Sequence, residues 1–133
     1  MLSTSNLLAV GLATVAAMVV GALWYSPLLF VKAWTQALGK TPAELGNPKA
    51  AIANSVLMNL VSAFTLCAVF QWQNITGLWD AVVTAQALAV GLVVSNQLMR
   101  DRFHGASAQL SLINGANTVV VYLVMAVVLA LVR

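Results

Sequence analysis

Charge placement restricts this chain more than any motif does. Its Lys, Arg, Asp and Glu residues occur only at Lys32, Lys40, Glu44, Lys49, Asp80, Arg100, Asp101, Arg102 and Arg133. Between them lie four uncharged stretches, 1–31, 50–79, 81–99 and 103–132. Allowing for their turns, each is long enough for the ~20 apolar residues with which a helix crosses a ~30 Å hydrocarbon core. Only 7% of the chain is charged and 62% is hydrophobic, whereas an average soluble domain is about 25% charged. In water, a domain of this length would expose a larger apolar patch than monomers tolerate. The expectation is an all-α polytopic membrane protein: one bundle of four transmembrane helices, near 6–26, 49–72, 79–99 and 106–131, with a polar loop over 27–48.

The opening "MLSTSNLL" has no Lys or Arg, so it lacks the basic n-region of a cleavable signal and the first span is expected to be retained. Lys32, Lys40 and Lys49 follow the first span, Arg100 and Arg102 follow the third, and only Arg133 falls at the other side. Basic residues resist translocation, which places both of these connections in the cytoplasm and both termini outside. The net charge of +3 is accounted for by these topological residues and implies no nucleic-acid partner.

At the end of the first span the chain reads "GALWYSPLLF", residues 21–30. Trp24 and Tyr25 are rings of the kind that anchor a span among headgroups, and Ser26 with Pro27 loosens or ends the helix. The following 31–38 suits a short interfacial helix, with Trp34 in the headgroups and Lys32 reaching outward.

Polar side chains inside the spans are the candidate functional set, because lipid offers an amide no partner. Asn54, Asn59, Asn96, Gln97, Asn114 and Asn117 all fall in the cytoplasmic half or near the midplane of the expected topology. Two uses fit: hydrogen bonds between helices that fix the register of the bundle, or a hydrated vestibule that admits a small polar molecule or a lipid headgroup. Tyr122, mid-span, is expected to turn its hydroxyl into the bundle towards an amide such as Asn59. Small residues mark close helix contacts, Ala17 with Gly21 in the first span and Ala87, Gly91 and Ser95 in the third.

The inventory for catalysis is thin. His104 sits in the turn "RDRFHG" with no nucleophile beside it, and Cys67 stands alone, so neither a catalytic site nor a metal site is expected, nor any cofactor. No span carries an ionisable group of the kind that proton or ion coupling needs.

The segment "GALWYSPLLFVKAW", residues 21–34, resembles the domain of unknown function 1761 family of small bacterial membrane proteins, which typically shows this Trp-Tyr-Ser-Pro run followed by Lys and Trp. A second likeness lies in "LSLINGANTVVVYLVMAVVL", residues 110–129. The chain departs from the family pattern at Val31, where Gly is usual, and at Asn117 and Thr118, where an aromatic-His pair is common; no role of that His is carried over. The resemblance implies a four-helix fold in the bacterial inner membrane and singles out Trp24, Tyr25, Ser26 and Pro27, but it implies no activity. The expected function is therefore a non-enzymatic membrane component, a homo-oligomer or an accessory subunit of a larger complex in contact with membrane lipids; the alternative is an uncoupled permease or binder using the Asn-lined vestibule.

Overall fold

The computed structural model describes residues 3–26, 31–39 and 48–133. Pro27, Lys40 and most of the polar loop lie outside the described residues. Four helices are long and apolar enough to cross a membrane, over Thr4–Trp24, Lys49–Trp72, Leu78–Phe103 and Ala108–Val132. We label the elements α1 (Thr4–Trp24), α2 (Val31–Leu38), α3 (Pro48–Trp72), α4 (Leu78–Leu88), a π-helical turn (Ala89–Val94), α5 (Ser95–Phe103) and α6 (Ala108–Val132).

Hydroxyl caps start the first and last of these. Ser3 Oγ accepts from the Asn6 amide at 3.2 Å and Ser107 Oγ from the Leu110 amide at 3.1 Å, which satisfies amides that have no partner within a helix's own first turn. The third span runs on through "RDRF" to Phe103, a turn past the expected end. It stops where Gly105 takes the left-handed conformation, φ 71°, and the Ala106 amide closes back onto Asp101 O at 2.9 Å, the wrapped ending that glycine permits.

The antiparallel pair α1 and α6 forms the centre; α3 packs on α1, and α4, the π turn and α5 pack on α6, with α2 laid across the start of α6. Alanines make the close approach possible. Ala9, Ala13 and Ala17 of α1 share one core with Ala63, Leu66 and Phe70 of α3, Ala81 and Ala85 of α4, and Val121, Met125 and Leu129 of α6. Bilayer helices gain little from hydrophobic burial, so van der Waals fit between small residues and neighbouring side chains holds them together. Leucine and valine cover the outside, among them Leu8, Val15, Val19, Leu57 and Leu92, as a lipid-facing surface requires.

Two features of the packing differ from the sequence expectation. Gly21 is half-buried with open space where a Cβ would stand, so the α1 seam is centred on Ala13. Ala87, Gly91 and Ser95 are exposed; the buried face of the third span is instead Ala81, Ala85 and Ala89, continued by the half-buried Val94, Gln97 and Asp101. Ala87 falls about half a turn from Ala85 and so faces out in any regular helix, and beyond Ala89 the π turn sets the inward face. A regular helix repeats about every 3.6 residues, whereas a π turn takes in an extra residue, so the inward register steps from Ala89 to Val94 and carries Gln97 and Asp101 towards α6.

Candidate functional site

The polar contacts between elements concentrate at the start of α6, at the end of the bundle that also carries Lys32, Arg100 and Arg102. Ser111, 3% exposed, donates from Oγ to Asp101 Oδ2 at 2.6 Å and accepts from Arg102 Nη2 at 3.0 Å. Its carbonyl accepts from Gln97 Nε2 at 3.2 Å, and that same amide nitrogen lies 3.4 Å from Asp101 Oδ2. Arg102 Nη2 also donates to Ala106 O at 3.0 Å. A carboxylate and a guanidinium thus meet on one buried hydroxyl, which ties the turn between α5 and α6 to both helices. Bonds of this kind to ionised groups are stronger than neutral ones.

One turn along α6, the end of α1 is tied to the same helix. Trp24 Nε1 donates to Ile113 O at 3.0 Å, and Tyr25 Oη donates to Asn114 Oδ1 at 2.6 Å. The Tyr25 ring meets Trp34 of α2 edge-on, with centroids 5.2 Å apart and planes at 62°, a favourable aromatic geometry. Ser26 Oγ turns back to Leu23 O at 2.6 Å, and the Val31 amide, opening α2, bonds to Ser26 O at 3.2 Å. The residue types that read as headgroup anchors are therefore also a clasp that fixes α1, α2 and α6 together. The two segments that carry the family likeness, 21–34 and 110–129, touch each other here.

Replacing Tyr25 with Phe leaves Asn114 Oδ1 without this donor and is expected to lower stability by about 1–2 kcal/mol. Detergent unfolding followed by circular dichroism checks this, with the emission of the tryptophans reporting whether Trp34 has lost its seat.

The six amides singled out from sequence do not converge. Asn114 holds Tyr25, and Gln97 joins the Ser111 network. Asn59 Nδ2 lies 3.2 Å from Met18 Sδ across the α1–α3 contact. Asn96 is exposed and bonds its own helix, Nδ2 to Leu92 O at 2.6 Å; the π turn has rotated it away from α6. Asn54 is exposed on α3. Asn117 Oδ1 is buried and has no hydrogen-bond partner. Tyr122 Oη meets Ser62 Oγ at 3.5 Å and makes no bond to Asn59.

Two features are not expected from the sequence: Gln86, whose Nε2 donates to Val119 O at 2.9 Å, and the pairing of Ser111, one of the polar positions of the last span, with Asp101. The signal for Gln86 was the same as for the asparagines, an amide inside a span. The signal for Asp101 was its place one turn after Gln97.

At the opposite end, Arg133 Nη2 donates to Ile75 O at 2.6 Å and the guanidinium sits 5.7 Å from the Phe70 ring centre. A cavity of about 100 Å³ beside it is lined by Phe70, Ile75, Gly77 and Leu129, and none of the six amides lines it. Among the described residues, no three His, Cys, Asp or Glu side chains gather as a metal ion requires.

No curated protein and no solved structure matches the chain. The family described as a protein of unknown function, DUF1761, matches residues 8–130. That stretch includes both segments of the clasp and all four spans but for their outermost residues, and the chain accordingly belongs to the DUF1761 family.

Proposed function

We propose that the protein is a non-catalytic component of a bacterial plasma membrane that works by association in the bilayer plane, as a homo-oligomer or as an accessory subunit of a larger complex. The observation that carries this reading is the use made of the polar side chains. The clasp residues and the Ser111 network bond to each other, and the six amides are dispersed over separate contacts and faces. Side chains used in this way act as glue between helices, and what remains for function is the outer surface. The bacterial location rests on the likeness of residues 21–34 to the family pattern. The end carrying Lys32, Lys49, Arg100 and Arg102 faces the cytoplasm in this reading, with Arg133 outside.

The second reading, passage or binding of a small polar molecule, has Asn117 on its side, an amide oxygen inside the bundle that no protein donor reaches. The two are separated by one preparation. Native mass measurement in mild detergent is expected to give a mass of more than one chain, and proteoliposomes are expected to show no solute flux above protein-free vesicles. A single-chain mass, together with a flux of small polar solutes that Asn117→Leu abolishes, would overturn the first reading in favour of the second.

A further inference from the structure

We infer that the end of the bundle opposite the clasp is a site for a zwitterionic phosphoethanolamine group, met as a lipid headgroup: Arg133 takes the phosphate and Asp80 the ammonium. The site goes beyond the associative reading and serves one chain or several alike.

Two hollows adjoin the connection between α3 and α4, and Ile75 lines both. The first, of about 100 Å³, is lined by Arg133 with Phe70, Thr76, Gly77 and Leu129. That is several times the ~10–15 Å³ that one water needs, room enough for a phosphate group. The second, of about 400 Å³, is lined by Gln73, Asn74, Asp80 and Thr84. They lie close together: Asp80 Oδ2 is 3.9 Å from the place that a Cβ would take on Gly77, a lining residue of the first.

The protein uses only part of the Arg133 guanidinium. Nη2 donates to Ile75 O at 2.6 Å and the group lies 5.7 Å from the Phe70 ring centre, but Nη1 is buried and has no acceptor. A cationic donor left unmet away from water is costly, and a planar guanidinium fork matches the oxygens of a phosphate. The helix α4 opens beside the same cavity at Gly77 without a side-chain cap, so its first amides add positive potential there.

Asp80 decides what kind of anion fits. It is exposed in the first turn of α4, and a plain anion in the first hollow would be repelled by its carboxylate. A ligand with an ammonium a short chain from its phosphate turns that neighbour into an attraction. Trp72 and Trp79 flank the connection, 72% and 76% exposed, and such rings lie among headgroups. Both hollows are therefore at headgroup depth, which favours a lipid over a dissolved solute as the source.

The test uses the full chain in mild detergent with equal amounts of phosphatidylethanolamine and phosphatidylglycerol, and native mass measurement counts each lipid retained. Phosphatidylethanolamine is expected to be retained in preference. Asp80→Asn and Arg133→Gln are each expected to weaken its binding roughly ten-fold, as the loss of a contact to a charged group would. Arg133→Lys, which keeps the charge but not the fork, should fall between. Soluble phosphoethanolamine in excess is expected to leave the lipid in place. Circular dichroism shows whether Arg133→Gln, which also releases Ile75, keeps its helices; Asp80→Asn alters an exposed side chain and carries the test if it does not.

Equal retention of the two lipids, or phosphatidylethanolamine binding that both Asp80→Asn and Arg133→Gln leave unchanged, would overturn the site. A loss with only one of these two folded variants would overturn the pairing of charges. Displacement by soluble phosphoethanolamine would overturn the lipid as occupant. None of these outcomes touches the associative reading, which stands or falls on the mass of the protein itself.

Discussion

Replacing Ala13 with Leu is expected to lower stability by about 3 kcal/mol, the upper range for overpacking a filled core. Ala13 is 0% exposed, and its neighbours along the seam, Ala9 and Ala17, are 0% and 1% exposed. The same core contains Val121, Met125 and Leu129 of α6 and Ala63 and Leu66 of α3, so a larger side chain has no space to enter without moving a helix. In a soluble core, part of the strain is offset by the greater apolar area buried. Between helices in lipid that gain is largely absent, and each increment of separation forfeits van der Waals contact along the seam. Val15, 60% exposed on the outer side of the same helix, is the control: Val15→Leu should change stability by less than about 0.5 kcal/mol. The measurement is unfolding by SDS from mixed micelles, read by circular dichroism. An Ala13→Leu protein as stable as the Val15→Leu protein would mean that α1 does not meet its neighbours through the alanine seam.

Much of the fold was legible in where the charges stand. The four uncharged stretches became the four spans, and the residues Lys32 and Arg102 came to one end, because ionised groups are confined to the connections and to the ends of the long helices. The chemistry of the clasp was half legible: Trp24 and Tyr25 were read as interface rings, but a local reading has no access to a partner 89 residues away. The third span was misread for a different reason. A period of about 3.6 residues is the only ruler the sequence offers for assigning faces, and the π turn at Ala89–Val94 breaks it without any Pro or polar signal in "AVGLVV". Residues beyond it are rotated, so Asn96 faces out while Gln97 and Asp101 reach Ser111; Ala87, two residues after the buried Ala85, faces out before the turn begins. Position along a span does not fix azimuth around the helix: Asn54 and Asn59 both fall in the first half of α3, yet one is exposed and the other lies against Met18.

The Ser111 network gives the second large effect. Ser111→Ala removes one hydroxyl from the start of α6 and with it two bonds, the one donated to Asp101 and the one accepted from Arg102. Bonds to charged groups contribute about 1.5–3 kcal/mol each when isolated from water. Asp101 is half-buried and Arg102 exposed, so water recovers part of the loss, and a net destabilisation of about 2 kcal/mol is expected. Ser111→Thr keeps the hydroxyl and should stay within about 0.5 kcal/mol of the parent if the added methyl finds room. Asp101→Asn keeps the acceptor but not its charge, and should fall between the two. Because Ser111 and Asp101 act on each other, the double substitution is expected to cost less than the sum of the single ones, and a double-mutant cycle measures the difference. Additive losses would show that the Ser111–Asp101 bond contributes nothing to stability. A cycle with Gln97→Leu then reports on the π turn itself, since Gln97 reaches the Ser111 carbonyl only in the register that the extra residue sets.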